Sequence, residues 1–307
     1  MIKTAEEKRS LIYKVARIFY RGLFINPKYL FGPIGFFQKI KIDFYELCGK
    51  KQFIVNYGKN LKFYNHGLKS LGEKNGFKRM TELDNILDLG GFIGDSAILL
   101  ANQNEGRVFV FEPEKEKFKW ILENIRLNDL REKIKAFNYA VIANDVKELE
   151  FNKLGDFSPG SSTIKNKSLD QIEVVRCINI KEVMGMADFD GLKCDIEGGE
   201  FEVIDYFLKN PHDFKFKKGI IEWHFNKGNL KQTKTLLDFL SYLKKEGYSF
   251  SFYPVNKPSK ILDEKEEVEN IVQQKFERGF YDHINEVYVN LLYFYKDTNL
   301  KVIREEK

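Results

Sequence analysis

Short apolar runs alternate with helical patterns along the chain from residue 84 onward. The predicted strands cover 86–89, 107–111, 134–141, 191–194 and 219–223. The predicted helices cover 95–102, 115–128, 201–208 and 230–245. In the second helix Phe118, Ile121, Leu122 and Ile125 recur at helical spacing. Strands that alternate with helices predict an α/β fold, a doubly wound parallel sheet with helices on both faces.

The alternation stops near the end of the chain. Residues 248–253 and 286–295 are both strand-like, and the charged segment 263–278 between them is predicted to be an exposed helical insertion within about 255–282. Two late strands without a core helix between them predict an antiparallel pair that closes one edge of the sheet. Residues 81–307 are therefore assigned to one sheet-based domain.

The first 80 residues differ in kind and are assigned to a helical and β-hairpin appendage. Leu11, Val15 and Phe19 form an apolar stripe on a basic helix, and 53–64 is predicted to be a hairpin that turns at Gly58. Such a stripe usually packs on its own protein. Peripheral contact of this helix with a membrane surface stays open as an alternative.

Composition narrows the class of protein and its partners. The 307 residues carry a net charge of +5, and no basic run with interleaved aromatics predicts a nucleic-acid groove. Three scattered cysteines indicate reduced thiols rather than disulfides or a zinc site. Neither a leader peptide nor an apolar run long enough to span a membrane is recognisable. We therefore expect a cytoplasmic protein.

The first predicted strand runs into a glycine-rich turn, DLGGFIG, at residues 88–94. A dinucleotide fingerprint requires glycine where Phe92 stands, and a phosphate loop requires a lysine that this turn lacks. An acidic residue followed by glycines at these spacings fits a turn for S-adenosylmethionine. Gly90, Gly91 and Gly94 would let the backbone approach the methionine part, and Asp88 could accept from its ammonium directly or through water. A plain strand-to-helix turn is the alternative.

Ligands of open parallel sheets bind beyond the carboxyl ends of the strands, so the next two strand ends are candidates. Glu112 lies 18 residues after Gly94, close to the distance at which a carboxylate meets ribose hydroxyls, and Pro113 restricts the turn that follows. A solvated glutamate is the alternative. Near Ala140, at the third strand end, backbone groups could contact adenine, although a core strand end is nearly as plausible.

Carboxylates crowd the fourth strand end, in DIEGGE at residues 195–200. Their mutual repulsion is costly unless cations, backbone donors or a substrate compensate it. Glu200 could simply complement the helix dipole. Asp195 and Glu197 are candidates for substrate binding or proton removal, and Asp195 also for cofactor binding. His224, at the fifth strand end, is a candidate general base, with a merely hydrogen-bonded histidine as the alternative.

The order of these motifs resembles the FkbM-type S-adenosylmethionine-dependent methyltransferases. The resemblance rests on DLGGFIGDSA, VFVFEPEKEKF, ILENIRLNDL, NYAVI, LKCDIEGGE and IIEWHF. It implies a Rossmann-like seven-strand methyltransferase sheet with an antiparallel last strand. It also implies O-methylation, often of sugars or other secondary metabolites.

Two stretches depart from the pattern of that family. Gly91-Phe92 stands where Ala-Asn is common, so a polar contact from that asparagine is absent. Residues 178–181 replace a common Thr-Leu-Asp triplet, which we interpret as a difference in how a helix starts.

The leading functional hypothesis is methyl transfer from S-adenosylmethionine to a hydroxyl of a small-molecule or glycan acceptor. Asp195, Glu197 or His224 would remove the hydroxyl proton. A cofactor-binding scaffold without catalysis is the second hypothesis. A nicotinamide oxidoreductase is disfavoured by Phe92 and by the terminal strand pair. Asp195, Glu197 and Glu222 could bind a hard cation, but no metal site is predicted because the sequence does not show that they converge.

Overall fold

The structure, a computed structural model, describes residues 45–47, 50–56, 60–64, 77, 79–153, 171–226, 229–254 and 287–296. The predicted N-terminal helix, the turn at Gly58 and the insertion at 255–282 lie outside these residues. Where the structure describes the chain, it contains no helix long and apolar enough to cross a membrane.

The described elements follow one another as thirteen strands and five helices. The strands are β1 (Tyr45–Leu47), β2 (Lys50–Asn56), β3 (Asn60–Tyr64), β4 (Asn85–Leu89), β5 (Arg107–Phe111), β6 (Ile134–Phe137), β7 (Ala140–Ile142), β8 (Glu148–Lys153), β9 (Gln171–Asn179), β10 (Gly191–Cys194), β11 (Lys218–Asn226), β12 (Tyr248–Pro254) and β13 (Val287–Lys296). The helices are α1 (Asp95–Gln103), α2 (Lys115–Leu127), α3 (Ile180–Met184), α4 (Glu200–Lys209) and α5 (Leu230–Lys245). A short 3₁₀ turn covers Pro211–Asp213.

The central sheet has seven strands in the order β12-β13-β11-β10-β4-β5-β6. Neighbours from β11 to β6 pair in parallel, and β13 runs antiparallel to both β11 and β12. This order confirms the predicted methyltransferase sheet with its antiparallel last strand. The N-terminal hairpin is also present, as β2 and β3, and β1 extends it to a separate three-stranded sheet.

Both faces of the central sheet are buried, as the apolar runs predicted. Leu87 and Leu89 join a core that also contains Trp223 and Phe239, whereas Ile86 packs into a second core on the other face. Successive side chains of a strand point to opposite faces, so one short strand supplies both cores. The helices therefore pack on the faces of the sheet and leave the carboxyl ends of its parallel strands uncovered.

The prediction of one strand over 134–141 is wrong. β6 ends at Phe137, and β7 leaves the central sheet to pair in parallel with β9, which pairs antiparallel with β8. Between the two strands, the Asn138 amide donates to the carbonyls of Glu112 and Pro113, at 2.9 Å each. These bonds attach the chain to the end of β5 and redirect it. The resulting small sheet, absent from the sequence-based scheme, forms a wall beside the strand ends.

Two predicted boundaries also change in ways that affect the site. β11 extends through Asn226, so His224 lies within the strand, opposite Val289 of β13, rather than beyond its end. α3 begins after Asn179, whose side chain accepts from the Lys181 amide at 2.9 Å. The interpretation of residues 178–181 as a helix start is confirmed.

Candidate functional site

A cleft of about 520 Å³ opens beyond the carboxyl ends of the parallel strands. It extends from Gly90 and Glu112, after β4 and β5, to Glu197 and Glu222, after β10 and at β11, and the small sheet contributes Phe151 to its wall. This is the position and the size range of ligand sites in open α/β sheets. Eight acidic and two basic side chains line the cleft, so its lining is strongly negative although the whole chain is positive.

The glycine turn, residues 90–94, connects β4 to α1 and is bonded to the end of β5. The amides of Gly90 and Gly91 donate to the Phe111 carbonyl at 3.0 and 2.9 Å. Gly90 has a φ of +82°, and a Cβ there would lie 1.6 Å from the carbonyl oxygen of Asp195, so only glycine fits. Of the three predicted glycines, Gly90 lines the cleft, whereas Gly91 and Gly94 support the turn from behind.

Asp88 lies underneath this turn and not in the cleft. Its side chain is fully buried, with Oδ2 accepting from Ser96 Oγ at 2.7 Å and Oδ1 3.4 Å from Lys193 Nζ. Burial raises the pKa of this carboxyl, while Lys193 lowers it. Asp88 does not line the cleft, so this arrangement does not favour its direct contact with a cofactor ammonium, and a contact through water stays a prediction. The physical reason is that Ser96 donates to Oδ2 and the Lys193 ammonium lies beside Oδ1, both below the turn.

Glu112 lines the cleft where it was predicted to lie. Its Oε2 accepts from the Phe92 amide and its Oε1 from the Glu114 amide, both at 2.9 Å. Burial raises the pKa of Glu112 to about 7, and nearby Lys117 opposes that rise. A carboxylate oxygen has more than one lone pair, so ribose hydroxyls can still donate to this group. Pro113 lines the same part of the cleft.

Ala140 also borders the cleft, but from the small sheet. It is the first residue of β7, which begins after the chain has left β6. The predicted contact with adenine would therefore come from this wall and not from the end of the third strand of the central sheet. It stays a prediction.

The acidic turn, residues 195–199, is organised by Glu200, the first residue of α4. Glu200 is fully buried, and its carboxylate accepts from the amides of Ile196 at 2.9 Å and Gly198 at 3.0 Å. These bonds satisfy backbone donors of the turn that precedes α4. The Glu200 Oε1 that accepts from Ile196 also lies 3.0 Å from Nδ1 of His224. Glu200 therefore does more than complement the helix dipole.

His224 is buried beneath three other carboxylates. Its Nε2 lies 3.4 Å from Oε2 of Glu197, 3.8 Å from Oε1 of Glu222 and 3.9 Å from Oδ1 of Asp195. Burial alone would lower the pKa of this imidazole, but Glu200, Glu197 and Asp195 together raise it well above its ordinary value. The neighbouring carboxylates therefore favour the charged imidazolium, whose positive charge opposes that of the acidic cluster. This favours a charge-compensating role over that of a free base, and the suggested role of His224 as general base stays a prediction.

Glu197 is the member of this cluster whose properties suit proton transfer. It lines the cleft, and its pKa is raised to about 8, chiefly by burial and further by the neighbouring carboxylates, while His224 lowers it. A general base works best when its pKa is close to the operating pH. Asp195 lines the cleft beside it.

Sequence reasoning missed Lys193 and the pairing of Glu200 with His224. Lys193 is the one charged residue of a four-residue strand that is buried throughout. A charged residue in such a strand is rarely buried without a partner, and this could have marked Lys193 as functional. No local signal connects Glu200 with His224, because the two residues are 24 positions apart.

The same cluster has the spacing of a metal site. Ligand atoms of Asp195, Glu197 and His224 all lie within 4.8 Å of one another. The carboxylates and histidine therefore do converge, which the sequence could not show. That no metal is needed stays a prediction.

Comparison with known proteins identifies the family. The model of the methyltransferase FkbM domain matches residues 88–250, more than half of the chain. No curated protein matches the sequence. Similar solved structures include M. jannaschii TYW2 in complex with AdoMet, with 16% identity over 83% of this chain and 94% of that chain and a TM-score of 0.39. StiE O-MT residues 942–1257 has 12% identity over 76% and 79% of the two chains and a TM-score of 0.41.

A third similar structure is precorrin-6y C5,15-methyltransferase from Geobacter metallireducens, with 15% identity over 74% of this chain and 87% of that chain and a TM-score of 0.36. All three scores are below 0.5, so the assignment rests on the domain match, which spans both the glycine turn and the acidic turn. The chain belongs to the FkbM methyltransferase domain family.

Proposed function

We propose that the protein transfers a methyl group from S-adenosylmethionine to a hydroxyl oxygen of a sugar, glycan or secondary-metabolite acceptor. One observation carries the proposal. Glu197, with a pKa raised to about 8, lines the same cleft as Gly90 and Glu112, and the His224–Glu200 pair lies behind it. A potential proton acceptor thus shares one cleft with the groups that suit the cofactor.

The residues of the cleft fit this cofactor. Glu112 is available to ribose hydroxyls. Glu114, fully buried at the cleft wall, forms an ion pair with Lys117 through Oε1, and its Oε2 has no hydrogen-bond partner among the described residues. The excess of acidic over basic side chains suits a ligand with a positively charged sulfur. When bound, the cofactor supplies an activated methyl group, so the protein has mainly to align the acceptor and remove a proton.

Proton removal is assigned to Glu197. An acceptor hydroxyl would give its proton to a carboxylate oxygen of Glu197 as its oxygen bonds to the methyl carbon, while the carbon–sulfur bond breaks and its electron pair stays on the sulfur. His224 stays protonated and stabilises the ionised form of Glu197, and Glu200 holds its ring through Nδ1. Asp195 adds negative charge beside the reacting groups.

Cofactor binding can be tested without knowing the acceptor. Isothermal titration should show micromolar-range binding of S-adenosylmethionine to the wild-type protein. Because Glu112 offers charged hydrogen bonds, Glu112→Ala should weaken binding by about tenfold or more. Glu202→Ala, at an exposed position on α4 that also lines the cleft, is the matched control. Unchanged affinity in the Glu112 variant would exclude its assigned role.

Methyl transfer is tested with methyl-labelled cofactor and acceptors that carry hydroxyl or amino groups. The proposal expects label in a methyl ether, located by mass spectrometry, and label on nitrogen alone would contradict O-methylation. Binding without transfer to any acceptor would favour the scaffold hypothesis. A fluorescence change with NADH would instead support the oxidoreductase that Phe92 disfavours.

A further inference from the structure

We propose that Lys193 is a positioning residue that joins the glycine turn to the acidic turn and thereby sets cofactor affinity. The cofactor-binding test of this inference rests on the proposed function. Lys193 lies on β10, between β4 and β11 at the centre of the sheet, and its side chain is 4% exposed. Lys193 is also one of the residues that line the cleft.

The contacts of Lys193 Nζ connect two turns that are distant in sequence. It donates to the Gly90 carbonyl and, at 3.3 Å, to the Leu89 carbonyl. It lies 3.4 Å from Asp88 Oδ1 and 3.8 Å from Asp195 Oδ2. The Leu89 carbonyl also accepts from the Asp195 amide at 3.0 Å. One ammonium therefore bridges the last residues of β4 and the first residue after β10.

Packing alone does not explain a lysine at this position. Removing an ammonium from water is costly, and an apolar side chain of similar volume usually serves a sheet core as well or better. Here the charge compensates Asp88, whose Oδ1 has no hydrogen-bond partner among the described residues. Asp88 in turn accepts from Ser96 in the first turn of α1, and so holds the helix that follows the glycine turn.

This arrangement predicts a specific division of effects. Lys193 contacts the Gly90 carbonyl, so its loss should loosen the turn that lines the cofactor part of the cleft. Glu197, the proposed base, receives its positive partner from His224. Loss of Lys193 should therefore weaken cofactor binding much more than it slows transfer at saturating cofactor.

The experiment compares the wild-type chain with Lys193→Met and Lys193→Arg. Isothermal titration with S-adenosylhomocysteine should show affinity reduced about tenfold to a hundredfold in the methionine variant, the range for a lost charged hydrogen bond. The arginine variant should recover most of that loss. In the methionine variant, turnover at saturating cofactor should fall less than about threefold, which is clearly less than the loss of at least about tenfold expected for cofactor affinity. Lys133→Met, which removes a lysine bonded to the carbonyls of Ala101 and Asn104, is the matched control.

Hydrogen exchange supplies a readout that does not depend on the cofactor. The amides of Gly90 and Gly91, bonded to Phe111, should exchange faster in ligand-free Lys193→Met, while those of β12 should be unchanged. If the wild-type protein binds no cofactor, the proposed function fails, and this measurement still tests Lys193. Unchanged exchange at the turn would overturn the inference.

Wild-type affinity in Lys193→Met would also overturn it, as would lost turnover with intact affinity, because that result would make Lys193 a catalytic residue. If the single variant does not fold, Asp88→Asn/Lys193→Met removes both buried charges together. Weaker cofactor binding by this folded double variant supports the positioning role, and wild-type binding refutes it.

Discussion

The contact between Glu200 and His224 yields a prediction that needs no acceptor. Glu200→Gln keeps the shape of the side chain and removes its charge, 3.0 Å from the imidazole Nδ1. A hydrogen bond to a charged group contributes about 1.5–3 kcal/mol, and one pKa unit corresponds to about 1.4 kcal/mol. The glutamine oxygen can still accept from Nδ1 but carries no charge, so we expect the pKa of His224 to fall in the variant by part of this free energy.

The pKa of His224 can be measured by NMR of protein labelled at histidine. The chain has four histidines, so the spectrum is simple, and exposed His212 serves as an internal reference. In the wild-type protein His224 should stay protonated well above the ordinary histidine pKa. Glu202→Gln, two residues further along α4 and exposed, should leave that value unchanged.

The same change has a consequence for stability, with a definite sign. The folded-state pKa of His224 lies above its unfolded value, so its stabilisation is fully present below about pH 6.5 and is lost as the pH rises through the folded value. Urea unfolding should therefore show the largest difference between wild type and Glu200→Gln in acid and a smaller one in alkali. A His224 that titrates near 6.5 in the wild type, or keeps its pKa in the variant, would refute this reasoning.

Three further predictions concern the cleft. Glu197→Gln should keep cofactor binding but lose turnover. Because the ionised carboxylate is the base, wild-type turnover should rise about tenfold per pH unit up to about pH 8. A flat pH profile, or a Glu197 variant as active as Glu202→Gln, would contradict this. Gly90→Ala should lose cofactor binding or fold stability in titration and thermal melts, because its Cβ would lie 1.6 Å from the Asp195 carbonyl oxygen. EDTA should leave methyl transfer unchanged; loss that Mg²⁺ restores would assign a metal to Asp195, Glu197 and His224.

Much of the fold and part of the candidate site follow from the sequence alone. Runs rich in apolar residues, such as 86–89 and 107–111, predict buried strands, because a strand covered on both faces is apolar at most successive positions. The glycine turn and Glu112 could be placed for a similar reason, since a residue that directly follows a strand of a parallel sheet lies at the ligand edge. These features depend on local order along the chain.

The tertiary structure decided what local order leaves open. Asp88 and Glu112 both belong to strand-end motifs, yet packing places one beneath the glycine turn and the other in the cleft. β7 leaves the central sheet because Asn138 binds the end of β5, and no strand pattern encodes that choice. His224 approaches Glu200 only when β11 and α4 pack together. Burial and charge at such a site are sums over distant residues, so they exist only once the chain has folded.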